Sequence, residues 1–93
     1  MAHCPVAQLA DLAQALEEIR TWTGIREPKP GIFYVKSKPF LHFHLKDGRR
    51  WADARCGSGW GRPIEIPFPS TATTRRKFLA TAKRYYRRTA GMI

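Results

Sequence analysis

Two histidines two residues apart, His42 and His44, and an aspartate eleven positions beyond the first, Asp53, are the side chains with the most chemistry within reach of one another. Imidazole nitrogens and a carboxylate suit a divalent metal or an acid/base pair. Whether they meet depends on Asp47-Gly48, a dipeptide that tolerates the positive φ a two-residue type I′ hairpin turn needs at both positions. Closing the chain there pairs Lys46 with Arg49, and stepping outward pairs Leu45 with Arg50, His44 with Trp51, Phe43 with Ala52, His42 with Asp53, Leu41 with Ala54 and Phe40 with Arg55. The two histidines then share a face, about 6.6 Å apart along their strand. Nothing in the spacing supplies a fourth ligand, and the plainer alternative is a cross-strand His42–Asp53 pair whose carboxylate raises the histidine pKa.

The same face collects Phe40, Trp51 and Arg55, and Tyr34 beside His42 if Ser37-Lys38-Pro39 closes a second hairpin. Rings on a sheet among Lys36, Lys38, Lys46 and Arg49 can stack bases while neutralising phosphates. No Lys/Arg-Gly-Phe/Tyr run is present, however, and rings on a solvent face also serve as cross-strand stabilisers. The run Gly57-Ser58-Gly59-Trp60-Gly61-Arg62 offers amides for an anion nest, or simply a strand connection that lays Trp60 over its neighbours. It lacks the Gly-Lys-Ser/Thr of a nucleotide-binding loop, and Pro63 opens a strand rather than a helix.

The elements that position these residues follow from periodicity. Val6, Leu9, Leu12, Ala13, Leu16 and Ile19 recur at three and four, which predicts an amphipathic helix over 6–21, stopped by Thr23-Gly24. Residues 27–31, Glu-Pro-Lys-Pro-Gly, read as a rigid connector. Strands are expected at 32–36, 40–46, 49–56 and 63–68, the last with Ile64, Ile66 and Phe68 inward and its three prolines marking an edge. Leu41, Phe43, Leu45, Ala52, Ala54 and Cys56 form the core face, joined by Phe33 and Val35 if the second hairpin closes. Ser70 or Thr71 caps a final helix to about 88 that carries Phe78, Leu79, Ala82, Tyr85 and Tyr86 on one stripe and Arg76, Lys77, Lys83, Arg84, Arg87 and Arg88 opposite; Gly91 ends it. The expected fold is α+β, in the order α-β-β-β-β-α, a four-stranded antiparallel sheet with both helices on one face and the other face open.

Ninety-three residues are one domain, and 17 basic against 7 acidic residues leave a net charge of +10. With 43% hydrophobic residues the chain is too apolar for a disordered basic tail. The charge is uneven: residues 1–27 hold four acids and two bases, net −2, and residues 28–93 hold fifteen bases and three acids, net +12. No apolar run reaches the length of a membrane span and the start lacks a signal-peptide pattern, so a cytoplasmic protein is expected. Cys4 and Cys56 are two isolated thiols, the second a small core residue.

The run Phe40-Leu41-His42-Phe43-His44, then Trp51-Ala52-Asp53-Ala54-Arg55 and a Trp-containing loop, resembles small uncharacterised bacterial proteins with a Phe-Leu-His-Phe-His / Ala-Asp strand pair. The likeness spans residues 32–88. It implies the fold and carries no activity.

The expectation is a non-enzymatic domain, without a cofactor, that binds an anionic partner, nucleic acid or an acidic protein, through Tyr34, His42, His44, Trp51, Asp53, Arg55 and Trp60 on the sheet and Lys83, Arg84, Arg87 and Arg88 on the last helix. The alternatives are a protein–protein adaptor, or a small-molecule or metal site at His42, His44 and Asp53.

Overall fold

A computed structural model describes residues 3–92. The fold is α+β, with one helical element before an antiparallel sheet and one after it. The first begins as a 3₁₀ segment, Val6–Leu12, and continues as helix α1, Ala13–Arg20. Leu9, Leu12, Ala15, Leu16 and Ile19 are buried, but Val6, expected in the core, is 56% exposed.

Among the described residues the sheet has six strands rather than four: β1 (Ile25–Lys29), β2 (Ile32–Val35), β3 (Lys38–Lys46), β4 (Arg49–Cys56), β5 (Gly59–Trp60) and β6 (Ile64–Glu65). The expected connector at 27–31 is instead the end of edge strand β1 plus the turn into β2. Pro28 is tolerated because an edge strand can leave one side of its backbone unpaired. Pro30-Gly31, with φ +78° at the glycine, supplies the combination of a type II turn. Gly31 is buried, and a Cβ there would lie 2.9 Å from Leu9.

Strands β5 and β6 lie along the same edge of β4. Arg55 pairs with Trp60 and Cys56 with Gly59, whereas Trp51 pairs with Glu65 and Ala52 with Ile64, a register offset by one residue. They are one returning strand interrupted at 61–63. Gly57 alone has positive φ in the Gly57-Ser58 turn, as type II′ requires. Gly61 is needed for packing, since a Cβ there would fall 2.5 Å from the Tyr85 ring. The glycines of this loop thus serve a hairpin and a close helix contact, not an anion nest.

The β3–β4 register is the one the Asp47-Gly48 turn predicts over six pairs, from Lys46–Arg49 to Leu41–Ala54, with φ +53° and +76° at the turn. The β2–β3 hairpin differs. It closes on Lys36-Ser37, with Lys36 at φ +54°, and pairs Tyr34 with Pro39 and Phe33 with Leu41. Phe40 is the extra residue of a β-bulge, which lets it and its neighbour Leu41 both turn inward. Phe40, expected on the open face, is therefore fully buried, edge-on to Tyr86 at 6.1 Å.

One core holds Phe33, Val35, Phe40, Leu41, Phe43, Ala52, Ala54 and Ile66 of the sheet region with the N-terminal helix, Trp22, and Phe78 and Ala82 of helix α2 (Ala72–Ala90). Both helices cover that face. Phe68, expected inward, is 40% exposed, and Leu45 and Cys56 are only half-buried. The Thr71 hydroxyl accepts from the Thr74 N–H and caps α2. At its other end buried Thr89 donates to the Arg55 carbonyl (2.8 Å) and accepts from the Gly57 N–H (3.0 Å), fastening the helix to the end of β4. Among the described residues no helix is long and apolar enough to cross a membrane.

Candidate functional site

Pleating puts His42, His44, Trp51, Asp53 and Arg55 on the face away from the helices, because they alternate with buried Leu41, Phe43, Ala52 and Ala54. The β5 turn brings Trp60 onto the same face opposite Arg55. These side chains form a continuous row. The Arg55 guanidinium lies 4.9 Å from the Trp60 ring, Trp60 stacks on His42 (5.0 Å), His42 meets His44 edge-on (4.6 Å), His44 stacks on Trp51 (5.1 Å), and Arg49 lies 5.9 Å from Trp51. Arg55 is held by the Pro39 carbonyl at 2.7 Å, and Arg49 pairs with Glu65.

Asp53 stands opposite His42 in the backbone register, yet its carboxylate reaches diagonally. Oδ2 is 2.9 Å from His44 Nε2 and 3.8 Å from His42 Nε2. Despite the short distance, the orientation at the His44 ring does not make a hydrogen bond, and this buried nitrogen has no hydrogen-bond partner among the described residues. The expected rise in the His42 pKa does not follow. Burial first, then the neighbouring charge of His44, hold it below the ordinary histidine value; Asp53 pulls upward without prevailing, and His3 adds to the lowering. His42 is thereby biased toward the neutral form in which imidazole accepts a proton or a metal.

His3 is the member of this cluster that periodicity did not single out. It bridges to His44 from the free edge of β3 beyond β2, where Cys4 N–H donates to the Phe43 carbonyl at 3.1 Å. Its ring stacks at 6.0 Å on His44 and lies 6.3 Å from His42. No helix or strand pattern links residue 3 to residue 44, so only tertiary structure could reveal it. Tyr34 is on this face too, but paired with Arg26 and Pro39, not beside His42.

The second surface is α2. Arg76, Lys77, Arg84, Arg87 and Arg88 are exposed, and by helical geometry they fall in one arc about 120° wide. Lys83 is half-buried, its ammonium 5.8 Å from the Trp22 ring. No α2 cation forms an ion pair with a described residue. Since α2 packs on the Phe43 face, through Phe43–Phe78 at 5.7 Å, its outer side points away from the histidines. The sheet residues and helix cations, all assigned to one anionic partner, are on opposite sides of the molecule.

A further functional-looking group was missed because each half reads as ordinary alone. Arg50, whose register position faces the core, is fully buried. It donates to both Asp11 oxygens (2.7 and 2.8 Å) and to the Gln8 and Ile66 carbonyls (2.8 and 3.0 Å), with Phe68 stacked on its guanidinium at 3.9 Å. Arg50 and the Ser70 hydroxyl hold the Asp11 carboxyl far below the usual carboxylate range. This knot joins the N-terminal helix, β4 and the chain entering α2, and its saturation marks it as structural. Cys4 and Cys56 are free thiols, and burial pushes that of Cys4 up, away from nucleophilic use. Compared with known proteins, the chain matches no family model, no curated protein and no solved structure, so its site is read from its own geometry.

Proposed function

We propose that this is a non-enzymatic binding domain for an anionic partner, nucleic acid above all, gripped by its phosphates along the outer face of α2. The observation that supports this is the exposed arc Arg76, Lys77, Arg84, Arg87 and Arg88, in a chain with no acidic residue beyond Glu65 and no ion pair to these cations among the described residues. Ordinary solvated helices intersperse glutamate with their lysines and arginines, which here would weaken the positive field. Arg87 and Arg88 also favour the C-terminal end of the helix dipole, but Arg76 and Lys77, in its second turn, gain nothing from it. Base stacking on the sheet is left out of this reading, because the rings of Trp51 and Trp60 already stack on histidines and Tyr34 stands apart.

The test is the fluorescence anisotropy of a labelled oligonucleotide. If phosphates are the contacts, log affinity falls by about 0.7–0.9 per contact for each decade of salt. Reversing Arg76, Arg84, Arg87 and Arg88 to Glu abolishes binding, while reversing exposed Lys38 and Lys46 on the sheet does not. Lys83 is excluded from the set because it lies against Trp22. Affinity indifferent to salt, or to the four reversals, removes the reading. Equal affinity for polyglutamate would transfer it to an acidic protein partner.

A further inference from the structure

The helix-free face has a different chemistry, and what it binds does not rest on the phosphate reading. From the convergence of their donor atoms we propose that His42, His44 and Asp53 form a binding site for one divalent transition-metal ion of the zinc class. One ring nitrogen of each histidine and a carboxylate oxygen of Asp53 lie within 4.8 Å of one another, and Asp53 Oδ2 is 2.9 Å from His44 Nε2 and 3.8 Å from His42 Nε2. Ligands about 2.0–2.1 Å from a tetrahedral zinc ion are about 3.3–3.4 Å apart, so those two distances bracket the requirement.

Three features distinguish this cluster from a cross-strand ion pair. An ion pair aligns N–H with carboxylate, whereas the buried Nε2 of His44 faces Asp53 without hydrogen-bonding to it or to any other described residue. Both imidazoles are clamped by stacking, His42 on Trp60 and His44 on Trp51, which limits their rotation and reduces the entropy lost when a metal orders them. Two nitrogens and one oxygen form a donor set that favours zinc or a neighbouring transition metal over magnesium or calcium, which prefer oxygen. The converging donors are these three, with His3 stacked on His44 at 6.0 Å between ring centres but outside the set, so water would complete the shell.

The probe is zinc itself, added to the full chain without a histidine tag, in competition with a chromogenic chelator and with nitrogen-15 spectra of the imidazoles recorded alongside. The expected result is one equivalent bound, ring-nitrogen signals of His42 and His44 displaced on loading, and affinity at least about tenfold weaker in His44→Ala and in Asp53→Asn. Magnesium in excess does not compete. The spectra are read on the unaltered chain, so the answer does not depend on the variants folding. The proposal is overturned by zinc that binds without moving those ring nitrogens, by zinc that binds His44→Ala undiminished, as it would at Cys4 or Cys56, or by no uptake at all. The α2 reversals should leave zinc affinity unchanged, so failure of either reading is distinguishable from failure of the other.

Discussion

Replacing Arg50 with Met is expected to destabilise the protein by about 3–5 kcal/mol, the range for removing one partner of a buried ion pair. For a small domain whose total stability is of order 5–15 kcal/mol this is a large share. Methionine fills much of the arginine volume, so the loss reports hydrogen bonding more than a cavity. The side chain is fully buried and satisfies the Gln8 and Ile66 carbonyls as well as Asp11, and those acceptors would be stranded. Asp11→Asn should cost a similar amount, about 3–5 kcal/mol, because it leaves the fully buried Arg50 guanidinium without its neutralising charge. Urea midpoints decide it. Arg50→Met that shifts the midpoint no further than a surface substitution would mean the knot does not hold the helices to the sheet.

The same pair dictates a pH dependence. The folded pKa of Asp11 is depressed below its unfolded value of about 3.9, so its contribution is complete above that value and is lost as pH falls toward the folded one. Acid unfolding should therefore set in below about pH 4, and Asp11→Asn should flatten that part of the stability profile. A wild-type profile no steeper there than that of Asp11→Asn would separate Asp11 from acid stability.

Phe43→Ala is expected to cost about 3–5 kcal/mol, the transfer term plus the cavity left beneath the helices. Its ring is 3% exposed and packs at 5.7 Å on Phe78 of α2, so truncation loosens the sheet from the helix at their shared centre. Lys46→Ala, three residues along the same strand and exposed, should stay within about 0.5 kcal/mol. Equal urea midpoints for the two variants would invert the assignment of the sheet faces, and with it the position of the histidines.

That assignment was legible in the sequence because it depends on local covalent constraints. Asp47-Gly48 can adopt two successive positive φ values cheaply, and once the turn is placed the two-residue period of the strands decides every pair from Lys46–Arg49 to Leu41–Ala54. Helix α2 was legible for a similar reason, its apolar stripe, basic back and Thr71 cap all lying within a few turns of one another. His42, His44, Trp51 and Asp53 therefore share a face by local rules alone.

What tertiary structure decided are the choices in which burial outweighs local preference. The bulge at Phe40 spends a ladder position so that a large ring reaches the core beside Tyr86, and closure of the hairpin at Lys36-Ser37 pairs Tyr34 with Pro39 rather than His42. Residues 25–29 became a strand despite Pro28 because β2 offered an edge to pair with, a gain invisible in the segment itself. Arg50 is buried only because Asp11, 39 residues earlier, neutralises it, and an isolated sequence position gives no sign of so distant a partner. The direction of the Asp53 carboxylate toward His44, and the arrival of His3 beside it, are likewise set by rotamers and chain path rather than by spacing. Local rules determined which residues face the solvent together and that the basic helix covers the other side of the sheet, where Phe43 meets Phe78; only the packed chain determined which of the solvent-facing side chains touch, since that depends on rotamers and on segments distant in sequence.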